Sequence, residues 1–282
     1  MKYTKNESEL YLPNGGDMAA ALSATTHLAI GAHQDDIEFM AYSGIAECFG
    51  QKEKSFSAAV VTNGSGSPRA GIYADYTDAQ MIEVRREEQK RAADIGQYKT
   101  LSLLMYPSAE VKDRNNPLLI ADLIQLFKAA SPKIVYTHNL ADKHDTHVAV
   151  AMRVISALRA LPVKDRPEKL YGCEVWRGLD WMNDGEKVFL DCASRPNLAA
   201  ALMGVFDSQI SGGKRYDAAT VGRRSANATF AESHGVDEYE QVTYAMDMTP
   251  LIVDDRLDPI AFTVEKIRAF ETDVKNRIDK VI

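Results

Sequence analysis

The sequence predicts an α/β protein: a mostly parallel sheet with helices on both faces, followed by an irregular C-terminal α+β extension. Short apolar runs alternate with helix-period segments through residue 160, the pattern of β-α-β units. Clusters rich in histidine and aspartate follow the first and the fourth of those runs. Open α/β sheets bind ligands there, in the crevice beyond the carboxyl ends of the strands.

Residues 1–25 read as an N-terminal arm, polar and with turn chemistry at Asn14-Gly15-Gly16-Asp17. The first strand spans 26–32, and its apolar run Leu28 to Ala32 suits a strand buried on both faces. Ile37, Met40, Ile45 and Phe49 recur at roughly helical spacing, predicting a helix over 36–49. A second strand, 55–62, runs into the loop Asn63-Gly64-Ser65-Gly66-Ser67-Pro68. The helix over 78–95 carries Glu83, Arg85, Arg86, Glu87, Glu88, Lys90 and Arg91. The simplest reading of that run is a solvated face laced by pairs three and four apart. A strand over 100–106, a helix over 116–130 and a strand over 133–137 follow, with Pro132 as the breaker. Beyond residue 160, strands are expected at 171–176 and 187–192, as an added hairpin or sheet edge, and at 239–248. Helices are expected at 197–210, 214–231 and 259–282. No linker rich in Pro, Gly or Ser divides the chain, so 26–282 reads as one domain with its core at about 26–160.

Hydrophobic residues make up 45% of the 282 and charged residues 26%, enough apolar material for a sizeable core. A net charge of −7 supplies no basic excess for phosphates, which argues against a general nucleic-acid binder. Cys48, Cys173 and Cys192 are widely spaced without a C-x-x-C, so a reducing compartment and buried thiols are expected. The first residues have no signal-peptide core, and no stretch approaches the ~18 consecutive apolar residues of a membrane span. The expectation is a cytoplasmic protein with no membrane or nucleic-acid partner. The C-terminal third leaves room for a homo-oligomeric interface.

The chemistry concentrates in two stretches. His33-Gln34-Asp35-Asp36-Ile37-Glu38 follows the first strand, and His138 to His147 follows the fourth, with His138, His144 and His147 within ten residues. Three acids in four residues at the edge of a core cost desolvation unless something pairs with them, and a divalent metal is an efficient partner. His33, Asp36 and His147 offer two imidazoles and a carboxylate, the three protein ligands typical of a catalytic zinc. The same set suits ferrous iron or another divalent metal. Asp35 is placed to be a base for an activated water. His144 is placed to protonate a leaving amine or to steady an oxyanion. Either cluster alone is as well explained by helix capping. It is their pairing at two strand ends on the same edge of one sheet that favours a site.

Ala32-His33-Gln34-Asp35-Asp36-Ile37-Glu38 resembles the Ala-His-Pro-Asp-Asp-x-Glu signature of the PIG-L/LmbE-like N-deacetylases. Thr62-Asn63-Gly64-Ser65-Gly66 is similar to the family's Thr-x-Gly-x-x-Gly region, with shorter glycine spacing. Arg85 to Ala92 is similar to its Arg-x-x-Glu-x-x-x-Ala helix, and His138 to His147 to the stretch ending His-Pro-Asp-His. The resemblance implies a Rossmann-like fold, a zinc site and hydrolysis of an N-acetyl group, often on N-acetylglucosamine. By it His33, Asp36 and His147 match the zinc ligands, Asp35 the general base and His144 the catalytic histidine. Arg85 matches a substrate-contacting position, against the plainer reading of a surface salt bridge with Glu88 or the neighbours of Gln89.

Two residues depart from that pattern. Gln34 replaces proline, so the turn is less rigidly preset. Thr146 replaces the acid before the final histidine, leaving Asp142 or Asp145 to substitute. These departures motivate an alternative: a catalytically altered metal- or carbohydrate-binding protein on the same fold. Residues 63–68 read as a site rim or an ordinary turn. Gly212-Gly213-Lys214-Arg215 and Gly222-Arg223-Arg224 read as solvated charge or as an anion contact. Trp176 and Trp181 read as packing or as a sugar platform. His27 and His234 read as structural.

Overall fold

The computed structural model describes all of residues 1–282. Eight strands form one sheet: β1 (Glu9–Tyr11), β2 (His27–Gly31), β3 (Phe56–Thr62), β4 (Leu101–Tyr106), β5 (Ile134–His138), β6 (Lys169–Cys173), β7 (Lys187–Asp191) and β8 (Val242–Asp247), in the order β1-β4-β3-β2-β5-β6-β8-β7. The five central strands, β4 to β6 in that order, pair in parallel. β1, β8 and β7 add antiparallel edges. The chain builds outward from β2 through β3 to β4, then returns to β5 on the other side of β2. The order therefore reverses between β2 and β5, and a crevice opens at their carboxyl ends.

The helices are α1 (Met18–Ser23), α2 (Asp36–Met40), α3 (Tyr42–Cys48), α4 (Asp78–Ile95), α5 (Ser108–Lys112), α6 (Leu118–Ala130), α7 (Asp145–Arg159), α8 (Pro196–Gly204), α9 (Asp207–Ile210), α10 (Tyr216–Thr229), α11 (Pro250–Val253) and α12 (Pro259–Asp279). They cover both sheet faces, and the alternation of strand side chains divides the core accordingly. Leu28, Ile30 and Val135 pack with α6 and α7 through Leu123, Phe127, Val150 and Val154. Ala29, Ala58, Val60 and Leu103 pack on the other face with α2, α3, α4 and α8 through Ile37, Ile45, Ala92 and Leu202. Continuous apolar strands are what burial on two faces requires.

The structure refines several expectations. The helix expected over 36–49 is two, because Ala41 at φ −117° interrupts it between α2 and α3. The stretch expected as an arm supplies edge strand β1 and helix α1, and buries Tyr3, whose hydroxyl lies 2.5 Å from Ser102 Oγ. β6 and β7 are not a hairpin, since β8 inserts between them and pairs with both. α4 runs over the expected residues, opened by a Thr77–Gln80 capping box. Its charge run is not a uniformly solvated face: Arg85, Glu88 and Gln89 are buried. All three cysteines are free and buried. No helix is long and apolar enough to cross a membrane.

Candidate functional site

β2 ends at Gly31 and α2 begins at Asp36, so the chain must reverse its course in four residues. It does so by placing Asp35 at φ 87°. A non-glycine residue holds such a conformation, at roughly 1–3 kcal/mol, only where its surroundings fix it. Here they do. The Asp35 N–H donates to Gln89 Oε1 at 3.1 Å, and Arg85 Nη2 donates to Asp35 Oδ2 at 2.9 Å and also to the Gln34 carbonyl. Gln34 Nε2 donates to the Thr62 carbonyl at 3.0 Å, tying the turn to the end of β3. The rigidity that proline would have supplied through its ring comes here from a buried amide. Gly64, at φ 79°, closes the rim loop over this turn. A Cβ there would lie 2.8 Å from Gln34 Oε1 and 3.0 Å from Arg85 Cβ.

The second turn is built by capping. Asp142 Oδ1 accepts the His144 N–H at 2.9 Å, and its Oδ2 accepts the Trp176 N–H at 3.0 Å. His144 is the N-cap of α7, its Nδ1 accepting the Thr146 N–H at 3.3 Å. That bond occupies the Nδ1 lone pair and leaves the proton of a neutral ring on Nε2. His147, in the first turn of α7, is fully buried, and Asp142 Oδ2 stands 3.6 Å from its Nδ1.

The two turns meet. His33 Nδ1 is 3.1 Å from His147 Nε2 and 3.2 Å from Asp36 Oδ2, and His147 Nε2 is 3.3 Å from Asp36 Oδ2. A tetrahedral zinc with bonds of roughly 2.0–2.1 Å spaces neighbouring ligand atoms about 3.3 Å apart. Three ligand atoms in a triangle of that edge fit such an ion. His138, stacked on His147 at 3.8 Å, also approaches Asp36. Its Nε2, however, accepts the Ala32 N–H at 2.9 Å, which occupies the lone pair a metal would need.

The electrostatics follow from burial opposed by neighbours. Desolvation works to raise Asp36, but His147 and His138 together hold its carboxyl well below the usual range. Burial likewise opposes charge on His147, yet Asp36 and Asp142 lift its imidazole to about 9. Asp35 behaves otherwise. Burial pushes its carboxyl up to about 7 and Asp36 adds to this, with Arg85 pulling the other way. His144 is lowered to about 4 by burial and by His147 and His33, so it is a neutral donor at pH 7. Two adjacent carboxyls are thus driven apart, the pattern that separates a ligand from a base.

His33, Asp35, Asp36 and His144 form the floor of a cleft of about 510 Å³, rimmed by Gly64, Gly66 to Pro68, Ser108, Lys112, Trp176, Gln209, Lys214 and Tyr216. A neighbouring pocket of about 150 Å³ shares Asp35, Asp36, Trp176 and Tyr216. Arg85 reaches the cleft wall, but it is 1% exposed and its guanidinium is committed to Gln34, Asp35 and, at 3.4 Å, Glu88.

The family model described as GlcNAc-PI de-N-acetylase (PIG-L) matches residues 28–158, the segment containing both turns. Over that span, just under half of its length, the chain is similar in sequence to the PIG-L family. Its sequence matches no curated protein. Its fold is that of several solved structures. The conserved protein TT1542 from Thermus thermophilus is 17% identical with a TM-score of 0.61, over 83% of this chain and 99% of that one. GalB, the 4-carboxy-2-hydroxymuconate hydratase from Pseudomonas putida, is 19% identical with a TM-score of 0.60, over 79% and 96%. The N,N'-diacetylchitobiose deacetylase from Pyrococcus horikoshii is 15% identical with a TM-score of 0.57, over 79% and 84%.

Several supporting residues of the matched segment escape sequence reasoning. Glu88 and Gln89 sit in a charge run yet hold Arg85 and Asp35. Glu38 accepts from Tyr98 and Gln89, and burial pushes it up to about 8. Asp142, one of the two acids near the second cluster, reaches both of its histidines, with Oδ2 3.6 Å from His147 Nδ1 and Oδ1 accepting the His144 N–H. Outside the segment, Trp176 lines the cleft, whereas Trp181 and His234 do not. Arg224 is buried and donates to the Glu38 and Phe39 carbonyls at the end of α2, and Arg223 donates to the Val175 carbonyl. His27 lies away from the site, against Thr26 and Cys48.

Proposed function

We propose that this chain is a metal-dependent amide hydrolase of the PIG-L type that removes an N-acetyl group from an amino sugar or sugar conjugate of the N-acetylglucosamine type. The family description and the deacetylase among the structural relatives support the reaction class. The observation that carries it is the convergence in one cleft of a ligand triangle, a base and a neutral donor. His33, Asp36 and His147 would hold the metal, with zinc as the first choice. When bound, zinc supplies Lewis acidity and lowers the pKa of water toward ~7.

The remaining steps belong to the chain's own side chains. Asp35, with a carboxyl poised near 7 by burial, takes a proton from the attacking water as oxygen bonds to the acetyl carbon. The carbonyl oxygen gains charge, and His144 meets it with Nε2–H, because Nδ1 is engaged by Thr146. Collapse breaks the C–N bond, and the proton held by Asp35 passes to the departing nitrogen. The products are a free amine and acetic acid, which ionises to acetate as its proton passes to the amine or to solvent. Arg85, buried between Asp35 and Glu88, positions the base and meets the substrate at most through its edge.

The test is amine release from N-acetylglucosamine and N,N'-diacetylchitobiose. Release that is lost on chelation and restored by zinc is expected. A folded, zinc-loaded protein that frees no amine from any N-acetylated sugar would overturn the proposal and favour a binding role.

A further inference from the structure

Lys112 and Lys214 line the same cleft as His33, Asp35 and His144. They come from different elements, Lys112 from the end of α5 and Lys214 from the turn after α9. Neither meets a carboxylate, in a protein whose net charge is −7. The acids of the cleft are already matched, Asp35 by Arg85 and Asp36 by His33 and His147. Two ammonium groups are therefore left without counter-charge on the wall of the site.

Lys214 is also held in place. Its Nζ lies 5.1 Å from the centre of the Trp176 ring, and its N–H donates to the Gln209 carbonyl at 2.8 Å. The turn before it needs glycine twice. Gly213 is at φ 103°, and a Cβ on Gly212 would lie 1.9 Å from the Ser208 carbonyl oxygen. Ser208 in turn donates to Glu88 through its N–H at 2.6 Å and its Oγ at 2.7 Å. Glu88 reaches Arg85, and Arg85 reaches Asp35. A buried polar chain thus registers the turn of Lys214 against the turn of the base. A lysine serving only solubility needs no such anchorage.

We propose that Lys214, with Lys112, selects substrates that carry an anionic group, a carboxylate or a phosphate on the sugar or its conjugate. Lys214 is the specificity-determining residue of the pair. The inference rests on the deacetylase reading for turnover, while recognition of the anion is open to a binding measurement alone. A hydrogen-bonded contact between an ammonium and an anion at the edge of a cleft gives discrimination that salt weakens.

The test is calorimetric titration of the zinc-loaded protein with glucosamine, glucosamine 1-phosphate, glucosamine 6-phosphate and muramic acid. At low salt at least one anionic sugar is expected to bind about tenfold tighter than glucosamine. That ratio should fall severalfold in Lys214→Met, recover in Lys214→Arg and drop below one in Lys214→Glu. Equal affinities across the four sugars, or an unchanged ratio in Lys214→Met, would overturn the inference. Amine release from the matching N-acetyl sugars reads the deacetylase proposal separately. Its failure would remove that proposal, and the binding ratios would still decide this one.

Discussion

The turn after β2 and the turn after β5 lie side by side at the carboxyl edge of the sheet, and they hold their polar residues by different means. The β5 turn uses ordinary devices: an aspartate accepting from backbone amides and a histidine capping a helix. The β2 turn stores strain and charge, with Asp35 at φ 87° beside a buried arginine. Strain at a reacting group persists only when its neighbours over-determine it. In the proposed mechanism the base and its support therefore belong to the β2 turn, and the donor and one metal ligand to the better-relaxed β5 turn.

That assignment can be broken in a definite order. Asp35→Asn keeps a side chain that tolerates positive φ but removes the proposed base. Turnover should fall by about 10³ with metal content unchanged, since general-base contributions run from ~10² to 10⁴. An active, metal-loaded Asp35→Asn would move the base elsewhere. Arg85→Met leaves Asp35 and Glu88 as buried carboxyls without their cation, and stability should drop by about 3–5 kcal/mol in urea unfolding. The pH profile adds a sign. Arg85 pulls the Asp35 carboxyl down, so in Arg85→Lys, a weaker version of that contact, the acid limb of kcat/KM should move to higher pH. A profile that stays put would leave Arg85 a purely structural part.

The β5 turn should yield more gently. Asp142→Asn weakens the orientation of His147, and zinc affinity is expected to fall about 10–100-fold, read by competition with a chelator. Affinity equal to wild type would show that Asp142 serves only the backbone. The smallest effect is expected of Gln34→Pro. The Gln34 N–H makes no backbone hydrogen bond, so the ring costs no donor, and its stiffness offsets the lost contact to Thr62. Stability within about 1 kcal/mol of wild type is expected. A much larger loss would mean that the buried amide is indispensable to the turn.

The same contrast explains what a reader of the sequence can see. Strands buried on both faces are continuous apolar runs, and β2 to β5 fall within a residue or so of where those runs lie. The His33, Asp36 and His147 triangle was legible because two short clusters follow two strands of one parallel sheet. Glu88 and Gln89 were not, because a buried polar residue on a charged helix has the same spacing as a solvated one. Asp142 was legible only as one of two acids, since its other partner, Trp176, is more than thirty residues away. β1 has three residues, too few to show a period, and the break at Ala41 is invisible to a periodicity that resumes in phase.

The central claim is that the two turns build one metal site. The direct measurement is metal per chain in protein purified without added metal or chelating resin, offered zinc, and compared with His147→Ala and Asp36→Ala. The account predicts about one zinc per wild-type chain and loss of it in both variants, each folded by circular dichroism. Wild-type protein that takes up no divalent metal, or a His147→Ala variant that keeps it, would contradict the account.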